Sequence, residues 1–518
     1  MNLGEIVTRS ASKWPNYLAL VDDQRSFTYA QLERRTNRLA SGLRRAGLAA
    51  GAHIAIQAWN RAEIVESEIA LYKGGYVKIP INARLTVEET LHVLNDSCAE
   101  AVIIDSAHAP GLIERRDEIP KLKHVILIDG AAGDLAYEAL IDSGEETPTG
   151  IEVGTDNIAV LHYTSGSSGV LKAAMQSFGN RKCNLDKYNA APWRQCLPGD
   201  IMAHVGPLTH ASGLFALQVL ARGGCNRIFA RFDARALLQA IEREKINRLF
   251  LVPTMVNRLV NEPDAQERDL SSLNSVFYAA SPMAPSLLEK ALKLFGPIMV
   301  QGYGSGETCA LVTMLNERDH QEALAGDKKR LSSCGRSYYD DDEVRVVDDD
   351  GQPIGPGGVG EIVVKGPTVM KGYWRAPELT AAVLKNGFYH TGDLATVDEE
   401  GYLYIVDRKK EMIISGGFNV YPLEVEKVLY AHPAVLEAAA VGVPNEQWGE
   451  EVKAVVVLKH GARVTAVELL SHCRQHLAGF KQPKSVDLVD ELPKNDAGKV
   501  VRRLIRNPYW AGQARNVG

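Results

Sequence analysis

The chain predicts an α/β protein with a large N-terminal domain of parallel-type sheets covered by helices, a β-rich subdomain within it, and a small α/β C-terminal domain. Three observations predict this. Through most of the chain, short apolar runs alternate with helix-length segments, the pattern of parallel strands joined by covering helices. Residues 340–374 change character and read as strands linked by Gly, Pro and Asp turns. Five consecutive charged residues, Asp407 to Glu411, then precede a fresh strand, glycine turn and helix, so the boundary falls between domains 1–407 and 408–518.

In order, Leu32, Leu39 and Leu43 share a helical face behind a capping threonine, Thr28, and that helix runs to about Ala46. His53 to Ala58 reads as a buried strand, Ala62 to Lys73 as a helix, and Tyr76 to Ile81 as a strand. A helix at Thr86 to Asn95 and strands at Ala101 to Ile104 and His124 to Ile128 continue the alternation. Further strands are expected at Ile158 to Leu161, Ile201 to Val205, Arg248 to Val252 and from Ser275, then a hairpin at Gly401 to Val406 and a helix from about Pro422. The acidic runs Asp340–Glu343 and Asp348–Asp350 read as solvated turns.

At 518 residues the chain exceeds the roughly 250–300 residues of a single core. It is 45% hydrophobic and 24% charged, with a net charge of −6, which excludes a globally basic surface for nucleic acid or anionic lipid. A polyanion must therefore be held by a local site. Seven scattered cysteines without a CxxC pair suggest neither a zinc site nor a disulfide framework. With no signal-type apolar run at the start and no stretch of 18 apolar residues, the expected location is cytoplasmic.

Several stretches carry chemistry. Thr164, Ser165, Ser167 and Ser168 surround Gly166 and Gly169, and the stretch closes on Lys172 after the apolar run from Ile158. Glycines let successive N–H groups turn toward an anion, and the hydroxyls add donors. The spacing is not that of a Walker loop. The plainer reading is a Ser/Gly turn between strand and helix. His210 stands where a strand hands over to a helix, a place where a structural histidine is the commoner reading. In Gly302-Tyr303-Gly304-Ser305-Gly306-Glu307, glycines bring backbone close, Tyr303 offers a flat face, and Glu307 is a single carboxylate suited to magnesium held mainly by phosphates. Tyr389 to Asp393 and Leu492 to Lys499 follow, the latter a polar loop in which Lys499 alone would pass for a surface lysine.

Together, five ordered motifs, Thr164 to Lys172, Tyr303 to Glu307, Tyr389 to Asp393, Asp407 to Glu426 and Leu492 to Lys499, resemble the adenylate-forming superfamily over almost the whole chain. The branch resembled is that of acyl- and aryl-CoA synthetases, since the Ile414-Ser415-Gly416-Gly417 turn is closer to those ligases than to peptide-synthetase domains. The resemblance implies that Thr164, Ser165, Gly166, Ser167, Ser168, Gly169 and Lys172 hold the β- and γ-phosphates of ATP. It also implies that Ala279, Ala280 and Ser281, with Tyr303, sandwich the adenine, that Gly302, Gly304 and Ser305 belong to the same nucleotide-binding stretch, and that Gly302 and Gly304, side-chain-free beside Tyr303, border the acyl pocket. Asp393 and Arg408 match the ribose-binding pair, Glu307 the Mg2+ ligand, and Lys499 the lysine that bridges carboxylate and ATP. Lys410 matches the hinge of a mobile C-terminal domain, Gly416 and Gly417 the pantetheine channel, and His210 borders the acyl pocket. Lys499, Glu307, Lys172 and His210 form the implied catalytic set.

Leu171 and Ala173 depart from the usual Pro-Lys-Gly, and Gly306 stands where a threonine usually precedes the glutamate, removing a donor that Ser305 or Thr308 could replace. The implied activity is an ATP-dependent carboxylate–CoA ligase that forms an acyl-adenylate, with ATP, Mg2+ and coenzyme A as cofactor and co-substrates. A small carboxylic acid is the partner, and neither nucleic acid nor a membrane span is expected. Two other readings are a stand-alone enzyme loading a carrier protein or amine, and a non-catalytic adenylate-binding protein. Retention of Lys172, Glu307, Asp393, Arg408 and Lys499 argues against the second.

Overall fold

The structure is a computed structural model describing residues 2–130, 133–165, 171–309, 311–409, 411–415, 418–445, 448–495 and 499–511, with backbone only for residue 165. Four sheets organise it. A seven-stranded sheet runs in the order Leu135–Ala136, His124–Leu127, Ala101–Ile104, His53–Gln57, Val77–Pro80, Ile158–Ser165 and Leu171–Ser177, parallel except for the final antiparallel pair. An eight-stranded sheet has a parallel centre, with Met299–Gly304, Ser275–Ala279, Arg248–Leu251, Ile201–His204 and Cys225–Ile228 in that order.

The central strands are apolar on both faces because helices cover both sides. Ile54, Val102, Ile103 and Ile104 are completely buried, and each such side chain contributes about 1.5–3 kcal/mol. The helix Ala62–Lys73 is buried at every residue. Its acidic groups are paired inside: Glu66 with Arg35 at 2.5 Å and Glu68 with Lys78 at 2.7 Å. One apolar cluster joins this helix to Leu20 and Ile228 of the larger sheet and to Ile54 and Ile103 of the other. Thr28 caps the helix Tyr29–Arg45 through a reciprocal bond pair with Gln31, as its sequence position predicts.

Two expectations need correction. The strand Ile158–Ser165 does not pass to a helix through a Ser/Gly turn. Its partner is the antiparallel strand Leu171–Ser177, and the helix Phe178–Ala190 starts only after Ser177, which caps it. The acidic run at 340–343 is not wholly solvated either. The Asp342 carboxylate is buried and ion-paired with Lys187, which also donates to Thr368 Oγ1 at 2.8 Å.

The β-rich part pairs Glu343–Val347, Gly360–Lys365, Phe388–Val397 and Leu403–Arg408 antiparallel. The last sheet contains Ile413–Ser415, Phe418–Val420, Val435–Asn445, Gly449–Leu458 and Ser485–Leu488, and the helices Pro422–Ala431 and Ala466–His476 accompany it. No helix among the described residues is long and apolar enough to cross a membrane. All seven cysteines are free.

Candidate active site

The site starts from the hairpin of Ile158–Ser165 and Leu171–Ser177. Side chains two apart on a strand, and those directly opposite across a pair, share a face. The register sets His162 opposite Ala174 and Thr164 opposite Lys172, so both His162 and Thr164 share the face of Lys172. Residues 371–374 lie along the hairpin's outer strand. Lys371 N donates to Met175 O at 2.9 Å, Trp374 N donates to Ala173 O at 2.8 Å, and Tyr373 bridges to Ala174.

That docking brings Tyr373 to Lys172, whose Nζ donates to the Tyr373 hydroxyl at 2.6 Å. The hydroxyl donates in turn to Glu307 Oε1 at 2.9 Å, and Thr164 Oγ1 donates to the same oxygen at 3.3 Å. Glu307 is fixed by its backbone as well. Met370 N donates to Glu307 O at 2.7 Å, and Gln176 Nε2 donates to Gly306 O at 2.8 Å. A turn precedes it in which Ser305 N donates to Thr308 Oγ1 at 2.9 Å.

A second group forms where Met299–Gly304 meets the β-rich part. Tyr303 donates its hydroxyl to Asp393 Oδ2 at 2.7 Å, and Arg408 Nε donates to Asp393 Oδ1 at 3.1 Å. Asp393 and Arg408 are cross-strand partners in register, so the pairing follows from the sheet itself. Ala279 lies beside Gly302 in the adjacent strand pair, and Ala280 follows with φ of +80°. A left-handed alanine is costly, of order 1–2 kcal/mol, and such residues cluster where chain direction serves a ligand.

Lys499 enters this site from the C-terminal part. Burial, and then the charge of Arg408, lower its pKa to about 8, while Asp393, Glu307 and Glu411 pull the other way. Lys499 in turn helps burial push His210 down to about 4. His162 faces His210 with ring centroids 6.1 Å apart, and burial with the charges of His210, Lys78 and Arg181 pushes it to about 3. Both imidazoles are therefore neutral near pH 7.

The structure thus brings together Thr164, Lys172, Tyr303, Glu307, Asp393, Arg408, Lys499 and His210. The sequence-predicted Gly166, Ser167, Ser168, Gly169, Lys410, Gly416 and Gly417 lie outside the described residues, as does the side chain of Ser165. Sequence motifs alone do not single out three of the participants, Tyr373, Gln176 and His162. Tyr373 sits in a Gly-rich tract that reads as turns, and only its pairing to the hairpin reveals it. The free volume expected beside Gly302 is filled: a Cβ there would meet Phe277 Cζ at 2.5 Å and Leu311 Cδ2 at 2.6 Å, because the neighbouring ring and leucine pack onto the glycine.

A hydroxyl- and lysine-bearing hairpin, a carboxylate tied to it, a Tyr–Asp–Arg group and Lys499 lie together, the arrangement the adenylate-forming resemblance leads one to expect of a nucleotide site. A family model described as AMP-binding enzyme matches residues 7–374, and one for the AMP-binding enzyme C-terminal domain matches residues 424–499. A feruloyl-CoA synthase of Amycolatopsis sp is 39% identical, over 98% of this chain and 99% of its own. A medium/long-chain-fatty-acid–CoA ligase of Mycobacterium tuberculosis is 33% identical, over 99% of this chain and 91% of its own. The solved amide bond synthetase of Marinactinospora thermotolerans superposes with a TM-score of 0.88 at 29% identity, covering 98% of this chain and 100% of that one. The chain belongs to the AMP-binding enzyme family, in its acyl- and aryl-CoA synthetase branch. Its activity is that class's ATP-dependent joining of an acid to the thiol of CoA.

Proposed function

We propose that this ligase activates an aromatic or short carboxylic acid, with Lys499 and the Glu307 cluster as the machinery of adenylation. The observation that carries the assignment of roles is the hydrogen-bonded cluster of Lys172, Tyr373, Glu307 and Thr164, and the buried Lys499 ammonium, within electrostatic reach of Glu307, Asp393, Arg408 and His210, supports it. In the first step a carboxylate oxygen bonds to the α-phosphorus of ATP as the bond to pyrophosphate breaks, the electron pair leaving with pyrophosphate. Two anions must meet. The Lys499 ammonium offsets their repulsion, while Thr164 and Lys172 hold the departing phosphates; fixed charges aimed at developing charge usually do the most to lower such a barrier. Asp393 accepts hydrogen bonds from the ribose hydroxyls, steadied by Tyr303 and Arg408.

Magnesium fits this donor set. Among the described residues no group of three or more His, Cys, Asp or Glu could hold a metal, and Glu307 is the single carboxylate expected of an ion held chiefly by substrate phosphates. When bound it draws charge from the phosphates. In the second step the CoA sulfur bonds to the acyl carbon, the bond to AMP breaks with its electrons on AMP, and the thiol proton passes to solvent. Lys499 must leave before the thiol enters, which we assign to rotation of 408–518 at Lys410. The seven free cysteines suit a reducing, cytoplasmic setting.

The acid class rests on packing. Trp193, Phe215, Phe250 and Phe277 form a ring cluster, with centroids of Trp193–Phe277 at 5.1 Å and of Phe215–Phe277 at 5.2 Å, and Phe277 closes on Gly302. Little depth remains there for a long alkyl chain. A panel of cinnamic, benzoic, short-chain and long-chain acids, scored by acid-dependent pyrophosphate release, tests this; preference for long chains refutes it. Offering CoA, holo-carrier protein or an amine to the product separates the thiol acceptor from the amine acceptor that the solved amide synthetase raises.

A further inference from the structure

We infer that His162 is the hydrogen-bond donor to the α-phosphoryl group of the nucleotide, and that Gly306 is a glycine to make room for it. This rests on the adenylating role proposed above. A Cβ at residue 306 would stand 2.6 Å from His162 Cδ2, 3.3 Å from Nε2 and 3.0 Å from Thr164 Cγ2. The imidazole therefore occupies the volume that a side chain at 306 would take. Gly306 itself has no positive φ to explain it.

The ring's position is that of the middle of the phosphate chain. It shares the hairpin face with Thr164 and Lys172, which bear on one end, and it faces His210, on which the charge of Lys499 acts, at the other. Gly306, against which the ring packs, lies in the chain between Tyr303 and Glu307, so a nucleotide held at both Lys172 and the Tyr303–Asp393–Arg408 group would run beside His162. Among the described residues its ring nitrogens make no hydrogen bond, so its N–H is available to a ligand. The two neighbouring hydroxyls are differently engaged. Thr308 Oγ1 accepts from Ser305 N at 2.9 Å and donates to Ser305 O at 3.1 Å, while Ser305 bears on Tyr389. Burial keeps the imidazole neutral, which leaves one N–H donor and avoids a third cation beside Lys172 and Lys499.

The test compares binding of AMP with that of adenosine, by calorimetry, in the full chain and in His162→Ala, His162→Gln, Gly306→Thr and the double variant His162→Ala/Gly306→Thr. A donor to the α-phosphoryl group predicts an AMP affinity about tenfold lower in His162→Ala, with adenosine unchanged. Gly306→Thr alone, which collides with the ring, should lose AMP as well. The double variant should recover to within about threefold of the parent, because the threonine hydroxyl now fills the vacated space. Equal weakening of AMP and adenosine, no weakening, or a double variant no better than His162→Ala overturns the inference. Should His162→Ala melt early, His162→Gln decides: folded and selective for AMP supports the inference, while folded and unselective overturns it. Absence of acid-dependent ATP–pyrophosphate exchange in the parent chain, with the AMP preference intact, would refute the ligase roles and leave His162 standing.

Discussion

Lys499 is the residue whose chemistry is most directly measurable. Burial and Arg408 hold its pKa near 8 against the pull of Asp393 and Glu307. The ammonium is present below that pH and lost as pH rises through it, so kcat/KM for adenylation should fall about tenfold per unit above pH 8. In Lys499→Arg, whose guanidinium stays charged, the alkaline limb should flatten while the rate drops. ATP–pyrophosphate exchange from pH 7 to 10 checks this. An identical alkaline limb in parent and variant would assign the ionisation to another group.

At the scale of elements, the hairpin and the 371–374 segment act as one unit, because the Tyr373 hydroxyl joins Lys172 to Glu307. Tyr373→Phe removes a hydroxyl bonded to two charged groups, each such bond contributing about 1.5–3 kcal/mol. Adenylation should fall tenfold to a hundredfold, the equivalent of about one such bond because Lys172 and Glu307 can pair directly once the hydroxyl is gone, with AMP binding little changed; unaltered exchange would show that Glu307 holds its place without it. This unit also marks how far sequence reading reaches. Strands buried on both faces, such as Ala101–Ile104, and capped helices such as Tyr29–Arg45 declare themselves through local apolar runs and caps. Thr164, Glu307 and Asp393 were legible because each sits in a compact motif. Tyr373 and His162 were not, since what defines them is a cross-strand register and a contact with Gly306, both made by tertiary pairing. The buried Asp342–Lys187 pair escaped for the same reason, as a charged run carries no local sign of which member turns inward.

Across the whole molecule, the charged segment on either side of position 410, itself outside the described residues, is tied to both parts of the chain, and Asp407 already accepts from Leu423 N at 2.9 Å and pairs with Arg502. Arg408 and Lys409 reach Asp393 and Asp349, the latter at 2.7 Å, whereas Glu411 pairs with Arg502 near the end of the chain. A proline at 410, with φ fixed near −65°, should block a large rotation there. Lys410→Pro should therefore keep pyrophosphate exchange and lose thioester formation from a supplied acyl-adenylate, and Lys499→Ala should do the reverse. If both variants lose both steps while circular dichroism shows them folded, the two-pose scheme fails.

The contact between His162 and Gly306 also bears on descent. If a forebear carried threonine at 306, the residue usual before this glutamate, the two replacements were not interchangeable in time: histidine could not arrive first without striking the threonine. A threonine at 306 and the imidazole cannot both hold the positions seen here, so the route that avoids the collision places the glycine first. Reconstructed intermediates of this lineage should therefore include a glycine without the histidine, and none with histidine facing threonine.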